Sequence, residues 1–240
     1  MTPTPQAIDW FPLWLSLRVA ALATFFVLIV GTFLAFALSH REFRGKNVLD
    51  ALITLPLVLP PTVLGYYLLV LLGRPSPFGR FYEYVTGQPL VFTWEAAVVA
   101  ACLHSTPIYV KAARAILEGI DYRYEWAAFS LGASEWRTFW HVTLPLARRG
   151  LVSLAALAFA RSLGDFGVTI MLAGNIPGRT QTLSVAIYNA VESGNGHVAR
   201  VLVLVISLIA LALLWSAGYA VKGGTNGRFL PPASRARRGA

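Results

Sequence analysis

Arg161 and Asp165 are the two charged residues in an otherwise uncharged apolar segment, residues 150–174. A charged side chain at the centre of a membrane-spanning helix costs about 2.5–3.5 kcal/mol, so some interaction must offset both. Their i,i+4 spacing places them on one helical face, where they can form an ion pair. Two interpretations remain open. The pair is either static and packed against neighbouring helices, or it borders a solute path where Arg161 binds a passing dianion while Asp165 holds Arg161 in place.

Pro60, Pro61 and Thr62 lie together in the uncharged segment 51–73. Two consecutive prolines remove backbone N–H donors and favour a kink in a helix. In a functional interpretation, the bent helix lines a solute path and Thr62 contributes to its wall. In a structural interpretation, the kink is fixed and only fits the helix into a bundle.

The sequence lacks the patterns that bind nucleotides or metal ions. It has no G-x-x-x-x-G-K-[ST] loop, whose backbone N–H groups would hold phosphates. Its four histidines, at positions 40, 104, 141 and 197, do not have metal-ligand spacing. No pair of nucleophile and base is evident. We therefore expect no catalytic residue, no metal site and no cofactor bound by this chain.

Composition indicates that most of the surface does not face water. Of 240 residues, 56% are hydrophobic and 13% charged, whereas soluble domains carry about 25% charged residues. A membrane-spanning helix needs about 20 apolar residues. Segments of this kind predict an all-α bundle of five membrane-spanning helices: residues 11–38, 51–73, 91–110, 150–174 and 201–221. Residues 180–191 are apolar on one side but too short to span, which leaves six spans as the alternative.

Basic residues between the apolar segments predict the orientation. Fourteen Lys and Arg fall in segments 39–47, 111–149 and 222–240, against far fewer, among them Arg74, Arg80 and Arg179, in the alternate segments. Because Lys and Arg are retained in the cytoplasm, we expect the N-terminus outside and the C-terminus inside a multi-pass protein of the inner (plasma) membrane. The net charge of +9 is thus explained without nucleic acid. We expect one membrane domain, residues 11–222, and a basic, disordered cytoplasmic tail, residues 223–240.

The cytoplasmic segment 117–146 has the pattern of two short helices. Asp121 can cap the first helix, Gly132 stops it, and Ser134 caps the second. Trp136, Phe139 and Trp140 form an apolar stripe at helical spacing in the second helix. Either the pair lies on the membrane interface, or it forms a docking surface for a cytoplasmic partner.

This segment resembles the EAA loop of ABC importer permeases, in which a Glu and two Ala precede a Gly, and an aliphatic residue and Leu-Pro follow it. The matching residues are Glu125, Ala127, Ala128, Gly132, Val142, Leu144 and Pro145. One departure is that Trp126 occupies the usual Glu position, six before the Gly, and Glu125 precedes it. The resemblance implies a coupling loop that docks into a cleft of a separate cytoplasmic ATPase, which uses the ATP.

Two longer stretches are similar to the molybdate branch of the same family. They are residues 50–67, DALITLPLVLPPTVLGYY, and residues 159–183, FARSLGDFGVTIMLAGNIPGRTQTL. The resemblance implies an importer for molybdate or tungstate, built as a permease homodimer with two ATPases and a periplasmic oxyanion-binding protein. Sulfate and thiosulfate permeases share the skeleton of the second stretch and are the nearest alternative.

A different class remains as a further alternative, an ion-coupled secondary transporter. That class expects broken helices near the midplane and an inverted internal repeat. The proline-containing second span could be such a break, but no second half of the sequence echoes it. A membrane scaffold without a transport role is the third interpretation.

Overall fold

The computed structural model describes residues 8–222, in which every regular element is helical. The sequence explains several boundaries, since proline opens helices at their first positions and Thr93 caps another by accepting the Ala96 N–H. The helices are α1 (Phe11–His40), α2 (Lys46–Val58), α3 (Pro61–Leu72), α4 (Pro77–Thr86), α5 (Trp94–Glu118), α6 (Arg123–Ser130), α7 (Glu135–Thr138), α8 (Leu144–Leu163), α9 (Gly167–Leu172), α10 (Leu183–Glu192) and α11 (Gly196–Lys222). The predicted all-α membrane class is confirmed.

The bundle has two distinct ends, which we name by nearby residues. At the Trp94 end, α1 and α5 both begin, and the Arg18 guanidinium lies 3.9 Å from the centre of the Trp94 ring. At the loop end, α1 finishes and His40 Nε2 lies 2.9 Å from Glu125 Oε1 in α6. Therefore α1 and α5 cross the bundle in the same direction.

Helices α2 and α3 together form one broken span. They are bent by 117° at a short break, at the position where the prolines predict a kink. Asp50, near the start of α2, lies 3.6 Å from Lys111 in the loop-end half of α5. Gly73, just after α3, lines a cavity with Val91 and Phe92 at the Trp94 end. Because the pair starts and finishes at opposite ends, it crosses the bundle and is not a re-entrant loop.

The predicted span 150–174 is also broken, which the sequence analysis missed. A continuous helix runs from Glu135 to Leu163, through a π-helical turn, Phe139–Thr143, that joins α7 to α8. Pro145, the second residue of α8, therefore lies inside this longer helix. After a break at residues 164–166, α9 reaches the Trp94 end, where the Leu172 carbonyl accepts the Phe92 N–H at 2.9 Å.

The last two helices complete five crossings. Helix α10 has 10 residues, too few to span, and begins beside α1, where Ser16 Oγ accepts the Leu183 N–H at 2.7 Å. Helix α11 packs against α8 and α10. Within residues 8–222, four long apolar helices plus the bent pair, counted as one span, give five spans, in agreement with the prediction and not with the alternative of six. The tail predicted to be disordered, residues 223–240, lies outside the described residues.

Candidate functional site

The breaks in the two interrupted spans pack against each other. A Cβ added at Gly167, the first residue of α9, would lie 2.5 Å from Pro61 Cβ at the start of α3. A Cβ at Gly65 would lie 2.6 Å from Met171 Cβ. Contacts below 3.0 Å cannot be accommodated without movement, so glycine at both positions allows α3 and α9 to pack closely. The predicted break at Pro60–Pro61 thus has a structural partner in the break that follows Arg161.

His104 lies between Arg161 and Asp165 and connects them. His104 Nδ1 lies 2.6 Å from Asp165 Oδ1, and Arg161 Nη2 contacts His104 Nε2. Since the guanidinium can only donate and the carboxylate can only accept, Nε2 accepts from Arg161 and the Nδ1–H donates to Asp165. The arrangement is therefore a hydrogen-bonded chain of cation, neutral imidazole and anion.

The prediction that Arg161 and Asp165 pair on one helical face is wrong. Helix α8 ends at Leu163, so the i,i+4 geometry does not extend to Asp165, and these two described residues form no direct ion pair. Asp165 instead lies in the break, 3% exposed. It accepts hydrogen bonds from Thr169 N at 3.2 Å and Thr169 Oγ1 at 2.5 Å, which fixes the start of α9.

Arg161 has unused donor capacity. A guanidinium carries five N–H donors, and within residues 8–222 the hydrogen bonds of this one go to His104. Arg161 also lines a small cavity of about 40 Å³ together with Ser105 and Tyr109. The free donors make Arg161 the group at this depth best suited to bind an anion.

The hydrogen-bonded residues Arg161, His104 and Asp165 lie at mid-depth in the bundle. His104 is ten residues after Trp94 and fourteen before Glu118 in α5, which places it ~15 Å and ~21 Å from the two ends at 1.5 Å per residue. In the sequence, His104 is one of four scattered histidines. Its position in the sequence could have identified it, because an ionisable residue inside an apolar span is by default a candidate functional residue.

Glu125 in the loop faces the bundle. Its Oε1 lies 2.9 Å from His40 Nε2 at the end of α1 and accepts from Thr143 Oγ1 at 2.6 Å. An ion pair, Arg41–Glu135 at 2.7 Å, joins the segment just after the same helix to α7. These contacts fix α6 and α7 to the end of α1, so Glu125 positions the loop.

The predicted helix stop and cap in the loop are confirmed. Gly132 has φ +80°, a left-handed conformation that glycine adopts without strain. The Ala133 N–H then bonds back to the Ala128 carbonyl at 3.0 Å. Ser134 Oγ accepts the Arg137 N–H at 3.4 Å and caps α7. Of the other predicted loop residues, Ala127 and Pro145 are exposed, whereas Ala128, Val142 and Leu144 are half-buried.

Only Phe139 of the aromatic stripe packs inward. It is 1% exposed and lies 4.4 Å from Phe36 of α1 between ring centres, whereas Trp136 and Trp140 contact the Phe33 ring but remain about half exposed. The first helix instead presents large apolar side chains to the outside, and Leu131 is 89% exposed. We call this surface, comprising Tyr122, Tyr124, Trp126 and Leu131, the loop face.

Comparison with known proteins agrees with this architecture. The profile of the family described as binding-protein-dependent transport system inner membrane component matches residues 27–221. The chain is 44% identical over 211 residues to the molybdenum transport system permease protein ModB of Escherichia coli strain K12, covering 87% of this chain and 92% of ModB. It is 35% identical over 215 residues to the probable sulfate transport system permease protein cysT of Chlorokybus atmophyticus, covering 90% and 74%.

The same fold occurs in a solved structure of the MetNI methionine ABC transporter in an inward-facing conformation. The TM-score is 0.71, with 92% of this chain and 99% of that chain covered. Sequence identity is 16%, so this likeness concerns the fold alone.

Proposed function

The chain belongs to the family of binding-protein-dependent transport system inner membrane components, and we propose that it is the membrane-spanning subunit of an ATP-driven importer for molybdate or tungstate. The observation that carries the proposal is the loop: a short helix fixed to α1 by Glu125 and presenting the exposed loop face. ATP is hydrolysed by a partner ATPase that docks on this face, and the chain itself catalyses no reaction and holds no cofactor or metal. In the interfacial alternative, the half-exposed side chains of Trp136 and Trp140 lie at the membrane surface.

We infer that the loop end faces the cytoplasm and the Trp94 end faces outward, as the distribution of basic residues requires. The protein is then a multi-pass protein of the inner membrane, with a periplasmic oxyanion-binding protein above it and two ATPases below. Pro60, Pro61 and Thr62 are exposed on the single chain. A second copy facing this break would enclose a path, which supports a homodimer.

The path passes the paired helix breaks at mid-depth. Broken spans place polar backbone and side-chain groups inside a membrane where they can contact solutes. Arg161 binds the dianion with its free N–H donors, and Asp165, acting through His104, holds the guanidinium in place. Broken spans are also expected of ion-coupled transporters, but the family assignment favours the ATP-driven mechanism.

Competition of oxyanions for uptake tests the substrate. The assay uses proteoliposomes that contain the permease, its ATPase and its binding protein. We expect excess unlabelled tungstate to lower the uptake of radiolabelled molybdate by about tenfold or more. Excess unlabelled sulfate should lower the uptake of molybdate by less than about twofold. Equal competition by sulfate and tungstate would instead support the sulfate alternative suggested by the cysT relative. No uptake of any of these oxyanions would contradict the proposed function.

A further inference from the structure

A large cavity opens at the Trp94 end, between the ends of α3, α5 and α9. Its volume is about 560 Å³, within the range of small-molecule sites. Arg74 and Arg179 line it, and none of the lining residues that the structure describes is acidic. We call it the arginine cavity, defined by Arg74, Gln88, Phe92, Ile176 and Arg179.

Arg179 is the stronger cation of the two. Arg74 Nη2 lies 2.9 Å from Glu83 Oε1, so its charge is partly compensated. Within residues 8–222, the Arg179 guanidinium has neither an ion pair nor a hydrogen bond, and the side chain is exposed. The apolar walls of the cavity, such as Phe92 and Ile176, provide a low-dielectric surrounding that strengthens the field of this charge.

The loop that carries Arg179 is firmly built. Gln181 Nε2 donates to Asn175 Oδ1 at 2.7 Å, and the Ile176 N–H donates to Thr180 Oγ1 at 3.2 Å. Thr180 and Gln181, which directly follow Arg179, are buried. Gly178, which precedes it, has φ +71°, which a side chain would disfavour. The backbone of Arg179 is therefore fixed, so that binding a ligand there does not require ordering of the loop.

The opposite wall is held in a strained conformation. Phe92 has φ +64°, which is rare for a bulky residue and is found mainly at functional sites. The Phe92 N–H bond to Leu172 at 2.9 Å fixes it. A Cβ at Gly174 would lie 3.0 Å from the Phe92 ring, so the glycine leaves room for the ring beside the cavity.

We propose that the arginine cavity is an oxyanion-binding site, which takes up a tetrahedral dianion at the Trp94 end before it passes to Arg161. A guanidinium presents paired N–H donors that match two oxygens of such an anion, and the exposed Gln88 amide adds a neutral donor. An open cavity of this size binds its ligand weakly. Weak binding suits a site that must release the anion to the next site on the path. The inference rests on the proposed function and on the inferred orientation.

The test is equilibrium dialysis of radiolabelled molybdate against the full-length permease in lipid nanodiscs, without binding protein or ATP. We expect Arg179→Gln to weaken binding by about tenfold or more, and Arg179→Lys to weaken it less, because lysine keeps the charge but loses the paired donors. Arg80→Gln is the matched control, since Arg80 is exposed on α4 near the same end and does not line the cavity. It should change binding by less than about twofold, because remote surface charges are screened by salt.

Equal losses of molybdate affinity in Arg179→Gln and Arg80→Gln would overturn the proposal, since they would indicate nonspecific attraction of the anion by surface charge. Unchanged binding in Arg179→Gln, or no binding by the unaltered permease at millimolar molybdate, would overturn it as well. If Arg179→Gln weakened only capture of the binding protein, the cavity would be a protein contact and the proposal would be wrong.

These outcomes are separate from those of the uptake experiment. The protein could bind molybdate and sulfate in an Arg179-dependent way and still fail to import molybdate. That result would support the cavity site but contradict the proposed substrate. If molybdate were imported normally but its binding did not depend on Arg179, only the proposal of the cavity site would be contradicted. Because the Arg179 side chain is exposed, thermal stability of the variants should be unchanged, which excludes misfolding as the cause.

Discussion

Asp165→Asn is expected to destabilise the permease by about 3–5 kcal/mol, the loss that follows when one partner of a buried ionic network is removed. Asp165 is 3% exposed, and its carboxylate is the anion that balances Arg161 through His104. Asparagine keeps the size and one acceptor oxygen but leaves the guanidinium charge uncompensated inside the bundle. The measurement is thermal unfolding of the purified variant in detergent or nanodiscs, together with folded yield.

Adding Arg161→Gln to this variant should restore stability to within about 1 kcal/mol of the original protein, since a neutral network of similar shape can replace a buried ion pair. The introduced glutamine amide can donate to His104 Nε2, and the His104 Nδ1–H can donate to the amide oxygen of the introduced asparagine. The double variant should insert and bind its ATPase, yet lose most oxyanion uptake, because the cation of the path is gone. Full uptake by a stable double variant would show that the three residues are only structural.

Asp50→Asn is the matched control for this comparison. Asp50 also forms an ion pair with a basic residue of α5, Lys111 at 3.6 Å, but both side chains are about a third or more exposed. Exposed pairs contribute about 1 kcal/mol or less, so the same chemical change should have little effect on unfolding. If Asp50→Asn and Asp165→Asn were equally harmful, the special role of the buried network would be contradicted.

Leu131→Gln is expected to weaken ATPase binding by about 30-fold or more, corresponding to roughly 2 kcal/mol for a central interface residue. Leu131 is 89% exposed on the single chain, so its replacement removes no internal packing and should not change thermal stability. The physical cause is loss of apolar surface that the partner would bury. The measurement is pull-down of recombinant ATPase over a concentration series with the purified permease variant.

Tyr84→Gln provides the control at the opposite end of the molecule. Tyr84 is 88% exposed, nearly the same as Leu131, and lies on α4 beyond the end of α3. ATPase binding should be unaffected in this variant. If Leu131→Gln bound the ATPase normally but associated less with lipid, the loop face would be a membrane-surface element and the interfacial interpretation would be correct.

The elements that depend on local chemistry could be predicted from the sequence. Long uncharged runs identify the spans because the bilayer requires a fixed length of apolar helix. Gly132 and Ser134 were identified as helix stop and cap because their roles involve only neighbouring backbone groups. The position of the break at Pro60 and Pro61 could likewise be predicted, whereas the size of the bend, 117°, could not.

Features that depend on distant contacts could not be predicted in this way. The break before α9 depends on Gly167 packing against Pro61, a contact between two helices that are far apart along the chain. The connection of Arg161 to Asp165 depends on His104, 57 positions from Arg161 along the chain. Helical spacing suggested a direct pair, but tertiary structure ended the helix at Leu163. The inward orientation of Glu125 likewise follows from His40 and Thr143.

Orientation in the membrane underlies the docking of the ATPase, the arginine cavity and the direction of transport. It is tested most directly by cysteine labelling in intact cells. Cys102, the single native cysteine, is first replaced by Ala, and one cysteine is then placed at Tyr122 on the loop face or at Tyr84 on α4. Neither substitution removes a basic residue. We predict that a membrane-impermeant maleimide labels the cysteine at position 84 in intact cells and labels the cysteine at position 122 only after permeabilisation. Labelling of position 122 in intact cells would place the loop face outside the cell, beyond the reach of any cytoplasmic ATPase, and would contradict the proposed mechanism.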